Sequence, residues 1–295
     1  MLFKKKKILL EYDHRSLFQD SWVKFRGNKL AYYSMLTLIM LFIVSIIMPY
    51  VYGWNYDEID NINTIPVEPS FSKGHIWGTD NNGRDLFIRT LFGVKISMLI
   101  GIVASLFSLI IGVLWGSTSG YIGGKFDAVM TRILDILYSL PFMFLVILLM
   151  VIFGRNLVLI FFAVGLTGWI PMARIVRGQT ISIRNSEYVT AAVSYSQSTW
   201  NIIVKHVIPN LLGTIIIYMT LVIPEMILTE SFLSFLGLGV QEPMTSLGVL
   251  VADGASVMES SPWMFFFPTL LLAIMLFCFN FIGDGLRDAF DPKQR

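Results

Sequence analysis

Charge is what this sequence lacks. Asp, Glu, Lys and Arg make up 14% of its 295 residues against 55% hydrophobic, where soluble domains carry roughly a quarter charged. So few charges cannot cover a globular surface with polar side chains, which excludes a soluble domain and implies an integral membrane protein. Cysteine is nearly absent: Cys278 stands alone, so neither an internal disulfide nor a thiolate metal cluster can form. The three histidines, His14, His75 and His206, are far apart and match no metal-ligand spacing. No metal ligand and no catalytic residue is assigned. A net charge of +2 is too small to suggest a nucleic-acid partner. A phosphate loop is missing too. Gly124-Lys125 has Ser119 where the first glycine should stand and Phe126 where Ser or Thr should follow.

What is present is apolar length. A helix needs about 20 apolar residues to cross a bilayer, and six runs qualify or nearly so: 31–52, 94–119, 128–153, 157–173, 211–230 and 264–283. The first is not expected to be a cleaved signal, because Glu11, Asp13 and Asp20 precede it and no small-residue cleavage site follows. With the N-terminus in the cytoplasm, 17 Lys and Arg fall inside and 5 outside. The positive-inside bias therefore predicts an all-α protein with six transmembrane helices and both termini cytoplasmic.

The chain divides into a cytoplasmic segment 1–30, a first span with a long external loop over 31–93, a core of five spans over 94–283, and a cytoplasmic tail 284–295. Within the first, 16–29 reads as an interfacial helix at the membrane surface, with Ser16 and Gln19 as a capping box. In the external loop, Gly78 to Asp85 is rich in turn residues, and Leu86–Phe92 reads as a helix on the outer surface. Gly112, Gly116 and Gly120 recur every four residues, a spacing that suits close helix packing or a flexible gate.

The largest cytoplasmic loop, 174–208, is the most informative stretch. Tyr188, Ala191, Ala192 and Tyr195 lie at i, i+3, i+4 and i+7, which predicts a short helix. Ser196-Gln197-Ser198 interrupts it, and a second helix opens at Ser198 or Thr199 and stops near Pro209. Such a helix suits docking in a groove of another protein, or lies on the membrane surface.

Here the sequence resembles the permease subunits of ATP-binding-cassette importers, in particular the second permease of the dipeptide/oligopeptide/nickel branch. The family's loop signature is Glu-Ala-Ala, three residues, Gly, nine residues, Ile-x-Leu-Pro. Ala191, Ala192 and Pro209 match it in spacing, with branch flanks at Glu187-Tyr188-Val189 and at His206 to Asn210. Other stretches similar to the branch are Gly78-Thr79-Asp80 with Gly83-Arg84-Asp85; Gly168-Trp169 with Arg174 and Arg177-Gly178-Gln179; Glu230-Ser231 with Leu233 to Gly239; and Gly283 to Pro292. The chain departs from the signature at Thr190 for Glu, Val193 for Arg, Ile208 for Leu and Ser196 for Gly. Serine at a turn with positive φ carries a backbone cost.

The resemblance implies a type I importer permease fold in a bacterial cell membrane, in contact with membrane lipid. It implies a second homologous permease, two cytoplasmic ATPase subunits and an extracytoplasmic substrate-binding protein as partners. ATP and Mg would belong to the ATPases and no cofactor to this chain, which would not itself be an enzyme. The loop carrying Glu187, Tyr188, Thr190, Ala191, Ala192, Ser196, His206 and Pro209 would dock on an ATPase subunit. Peptides are the expected substrate; nickel or a metal–chelator complex is the alternative within the branch. A secondary transporter independent of ATP is the competing class, although no internal repeat supports it.

Charges inside spans need a reason. Arg132 and Asp135, three residues apart, are expected to pair on one helix face; a gating role is the other reading. Thr214, Tyr218, Leu221 and Glu225 form one stripe beside Pro224. The stripe faces a translocation path or a second permease, or else Glu225 is buried, protonated and bonded to a neighbouring helix. Glu230 lies roughly 140° further round, where a structural bond to an external loop is expected.

Overall fold

The computed structural model describes residues 17–60, 66–154 and 156–290. Among these residues every regular element is a helix, apart from three isolated bridges in the loop between the first two spans. The helices are α1 (Leu17–Gly27), α2 (Lys29–Tyr52), α3 (Leu86–Ile122), α4 (Gly124–Ser139), α5 (Phe142–Phe153), α6 (Leu157–Arg184), α7 (Glu187–Ser194), α8 (Thr199–Ile202), α9 (Ile208–Phe235), α10 (Leu247–Ser256) and α11 (Pro262–Phe290). A π-helical turn, Ile203–Val207, joins α8 to α9. Five helices are long and apolar enough to cross a membrane, and the bent pair α4–α5 makes a sixth if counted as one span.

The helices start at polar caps. Asn28 accepts a hydrogen bond from the Ala31 amide, Asp85 from Ile88, Asn156 from Leu159 and Ser246 from Val249, each satisfying a donor that the first turn leaves open. A helix is present over this stretch as α1, though Ser16 lies outside the described residues. Phe25 is buried against Ala31 and Ala289, and the Arg26 guanidinium lies 5.0 Å from the Trp22 ring centroid.

Several boundaries differ from expectation, for one reason: hydropathy reports the bilayer, whereas caps and prolines end helices. Leu86–Phe92 is the first part of the second span rather than a separate surface helix, since nothing breaks the chain between the Asp85 cap and Gly123. The expected third span is divided at Pro141, which forces Leu140 into extended geometry, and its halves meet at 83°. The fourth span continues to Arg184, roughly 16 Å beyond residue 173 at 1.5 Å per residue. The second helix expected within 174–208 does not stop near Pro209 but runs into the fifth span. Proline has no N–H to donate, and its ring excludes the carbonyl four residues back; the π turn just before it absorbs that conflict.

The centre of the bundle is α3, packed on α6 and α9, with α2 at the periphery. Of the spanning windows, 56% is buried for α3 and 17% for α2. Within lipid, apolar burial gives little drive for helices to associate, so close packing must supply it. The glycine stripe does this as expected of the packing reading. A Cβ at Gly112 would lie 2.7 Å from the Met172 side chain, one at Gly116 2.4 Å from the Ala173 carbonyl, and one at Gly120 2.7 Å from the Arg177 carbonyl. Ser108 adds a hydrogen bond across this interface to the Gly165 carbonyl at 2.5 Å.

Candidate functional site

The end of the bundle that carries residues 174–208 is built on the overhanging part of α6. Asp127 of α4 receives both Nε and Nη2 of Arg177 at 2.5 Å, and Ser119 of α3 also donates to it. Three helices are thereby tied together. The expected Arg132–Asp135 pair does not form: Asp135 instead accepts from Arg174 Nη2 at 2.9 Å. Arg174 reaches across from the packed α6 helix with its guanidinium over the Tyr138 ring at 4.6 Å, a fixed partner that a flexible neighbour on the same helix cannot match. Both members are half-exposed, so the pair adds only about 0–1 kcal/mol.

Beyond Arg184 the chain turns into α7. Val189 and Ala192 face inward and pack with Val113, Met172, Val176, Ile202, Val207, Leu211 and Ile215. Tyr188, Thr190, Ala191, Val193, Tyr195 and Ser196 face outward. The two alanines thus lie on different faces, about 100° apart, and only Ala191 is exposed. An open groove of about 430 Å³ runs between this helix and the ends of α3 and α6, lined by Tyr121, Ile122, Arg184, Asn185, Val189, Thr190, Val193 and Thr199.

A Schellman motif closes α7: the Gln197 amide donates to the Ala192 carbonyl and Ser196 to Val193. The position it bends at is Ser196, with φ 55°, where the family signature has glycine. The same motif at the end of α9 uses Gly237 at φ 74°. Serine there bears a left-handed conformation that costs L-residues roughly 1–2 kcal/mol. Ser196→Gly is therefore expected to stabilise the turn by about 1 kcal/mol, read as roughly fivefold slower amide exchange across 187–197; unchanged exchange would remove the strain argument. Gln197 Oε1 also accepts from His206 Nε2 at 3.0 Å, and Asn210 donates to the His206 carbonyl at 2.6 Å, so the branch flank at 206–210 fixes the turn to the base of the fifth span.

Along α9, Thr214, Tyr218, Leu221 and Glu225 do share one stripe, and Leu228, Phe232 and Phe235 extend it at alternating spacings of three and four. Thr214, Tyr218 and Leu221 are half-buried, whereas Glu225, Leu228, Phe232 and Phe235 are exposed. The Glu225 carboxylate has no hydrogen-bond or ion-pair partner among the described residues, which removes the reading in which it is buried and bonded to a neighbouring helix of this chain. Glu230 is fully buried and accepts from Ser234 at 2.7 Å and from Ser246, the cap of α10, at 2.6 Å. Its bond is to the segment between the fifth and sixth spans, and it holds α10 in place. That ten-residue helix is too short for a span, and the sequence reading missed it.

The loop between α2 and α3 carries a charged cluster that the sequence reading saw only as a turn. Asp80 accepts from the Asn82 and Arg84 amides at 2.8 and 2.9 Å and from Arg84 Nε at 2.8 Å. Arg84 also reaches Glu242 at 2.7 Å and holds that carboxyl below the usual range. His75 lies between two carboxylates, Asp85 at 2.8 Å and Asp60 at 3.3 Å; burial pushes the Asp85 carboxyl up. Partners as far apart as Arg84 and Glu242 leave no local signal in sequence.

Comparison with known proteins agrees with this geometry. Residues 108–295 match the family described as "Binding-protein-dependent transport system inner membrane component", and residues 16–68 match the N-terminal TM domain of oligopeptide transport permease C. The oligopeptide transport system permease protein OppC of Haemophilus influenzae is 49% identical over 286 residues, covering 97% of this chain and 92% of that one. The dipeptide transport system permease protein DppC of Bacillus subtilis is 43% identical over 280 residues, covering 94% and 86%. Among solved structures, a chain of the MetNI methionine ABC transporter in an inward-facing conformation superposes with a TM-score of 0.57 at 18% identity, over 70% of this chain and 96% of that one. At that identity the likeness speaks for the fold alone.

Proposed function

The chain belongs to the binding-protein-dependent transport system inner membrane component family, and from that premise we propose that it is one of two permeases in an ATP-driven peptide importer. It is a multi-pass protein of the bacterial plasma membrane. In our reading the α4–α5 pair forms one bent span, giving six, with both termini in the cytoplasm as the Lys and Arg distribution favours. A second, homologous permease completes the translocation path, and an extracytoplasmic binding protein delivers substrate. Two cytoplasmic ATPase subunits bind ATP and Mg and carry out hydrolysis.

The observation that carries this reading is α7. Its inner face is locked into the permease core, and its outer face presents Tyr188, Ala191 and Tyr195, all exposed among the described residues. ATP-driven closure of the ATPase pair would move α7, and with it α6 and α9, shifting the bundle between inward- and outward-facing states. Thr190 and Val193 remove two charges that the family signature would place at this contact, so docking here rests on packing. In a Cys278→Ser background, cysteine at Ala191 or Ser196 is expected to crosslink to the ATPase subunit in the assembled complex. Cysteine at Ala192, facing inward, should not. Crosslinking at Ala192 but at neither outer position would overturn the assignment.

Peptide is the substrate favoured by the relatives, whose names are those of oligopeptide and dipeptide permeases. Nickel or a metal–chelator complex is the second reading within the branch. The Glu225 stripe is assigned to the translocation path, where an unpaired carboxylate attracts the amino groups of peptides. Glu225→Gln is expected to lower uptake several-fold at unchanged assembly and ATPase rate; normal uptake would place Glu225 outside the path.

A further inference from the structure

We propose that the external hairpin Ser70–His75 is a membrane anchor seated in the phospholipid headgroup layer, with Phe71 as its apolar plug and Lys73 as its phosphate contact. The hairpin is closed by its own backbone. Ser70 and His75 exchange backbone hydrogen bonds at 2.8 and 3.1 Å, and Gly74 closes the turn onto the Phe71 carbonyl at 3.3 Å. Its base is fixed by the buried His75 ring, held between Asp85 and Asp60 with Trp54 at 4.9 Å. On this support stands a phenylalanine that is 84% exposed. A large apolar ring at the tip of an otherwise polar turn packs on little among the described residues.

The depth of the tip is set by the first span. Tyr52, the last residue of α2, donates its hydroxyl to the Gly74 carbonyl at 2.8 Å and accepts from the Ile76 amide at 3.2 Å. A chain of rings continues at this level: Tyr52 to Phe87 at 5.5 Å, Phe87 to Trp77 at 4.8 Å, and Trp77 stacked on Phe267 at 4.5 Å. Tyr52, Phe87 and Phe267 stand at or near the outer ends of α2, α3 and α11, with Trp77 of the loop between them, as the aromatic belt of a membrane–water interface does. The hairpin is thereby continuous with the lipid-facing end of the least buried span, where Tyr50 and Val51 are also exposed. Lys73, two residues from Phe71 and likewise exposed, can lay its stem along the acyl boundary while its ammonium reaches phosphate.

The assignment to the outer leaflet rests on the orientation proposed above; contact with lipid does not. The experiment uses the complete complex in vesicles of phosphatidylethanolamine and phosphatidylglycerol, in a Cys278→Ala background, with a nitroxide attached through Phe71→Cys. Collision with oxygen, which partitions into lipid, is compared with collision with a water-soluble nickel chelate, and Asp57→Cys serves as the aqueous reference. The expected result is an oxygen-to-nickel ratio several-fold higher at 71 than at 57. Equal ratios would overturn the proposal, as would shielding at 71 that arises only when the binding protein is added. If Phe71→Cys does not assemble, Ser72→Cys on the same exposed turn is read in the same way. Labelling of Asp57→Cys by a membrane-impermeant maleimide in intact spheroplasts tests the orientation separately. Labelling supports the outer leaflet, and its absence overturns the leaflet assignment and the proposed orientation together.

Discussion

Asp80→Ala is expected to destabilise the folded chain by about 3–5 kcal/mol, the cost of removing one partner from a buried ion cluster. Asp80 is one carboxylate serving two guanidinium groups and two backbone amides. Arg84 would keep Glu242, but Glu242 is largely exposed and a weaker anchor. Arg89 is the greater loss. It is 1% exposed and lies 3.1 Å from Asp80 through Nε, off the line of a proper hydrogen bond, so charge rather than bonding holds it there. Without Asp80 it keeps the Tyr56 carbonyl at 3.0 Å and the more distant charges of Glu242 and Asp253, which offset little of a buried positive charge. The turn over 80–84 would lose its side-chain acceptor at the same stroke. Asp80→Asn keeps one acceptor oxygen without the charge and should fall between wild type and alanine, while Asp57→Ala on the exposed part of the loop should change nothing. The measurement is the unfolding midpoint of the purified complex, with the amount of protein in the membrane as a second readout. A loss below about 1 kcal/mol for Asp80→Ala, the range of exposed pairs, would mean that the cluster is solvated.

That cluster also marks the limit of what the sequence reveals. The turn itself was legible because Gly, Asn and Asp at close spacing have local preferences, and all six apolar runs correspond to helices in the structure. Pairings across the bundle were not legible. The Arg132–Asp135 expectation followed a sound rule for an isolated helix and failed because α6 brings Arg174 to the same carboxylate. The face of α7 was read half correctly: Tyr188, Ala191 and Tyr195 do lie outward, but Ala192, one position on, turns about 100° further round and joins the buried cluster that includes Val189, Ile202 and Val207. Burial of Ala192 depends on the overhang of α6, whose extent is set by the Asn185 end of the helix rather than by hydropathy. The Ser196 turn was legible down to its strain, because φ there is fixed by the Schellman geometry and only the residue type differs from the family pattern.

Gly116→Val is expected to prevent accumulation of folded protein, because a Cβ there meets backbone and not side-chain ends. The nearest atoms would be the Ala173 carbonyl oxygen at 2.4 Å and the Arg177 amide at 2.8 Å, with the Val176 Cβ at 2.9 Å. A side-chain neighbour can change rotamer, but a helix backbone moves only by separating from its partner. Separation of α3 from α6 would break the Ser108–Gly165 bond and pull Asp127 and Ser119 away from Arg177. Overpacking of a core commonly costs about 1–3 kcal/mol, and the loss of a partly buried, charge-assisted network adds to it, so the total should exceed either alone. Gly178→Ala is the matched control. Gly178 belongs to a motif shared with the family, yet a Cβ there meets nothing within 4 Å, so the chain should fold normally. Any transport defect of Gly178→Ala would then report contact with a partner subunit, whereas the defect of Gly116→Val should appear already in the unfolding of the chain. Normal accumulation and unfolding of Gly116→Val would show that α3 and α6 do not need this closeness, and the glycine stripe would have to be assigned to motion instead of packing.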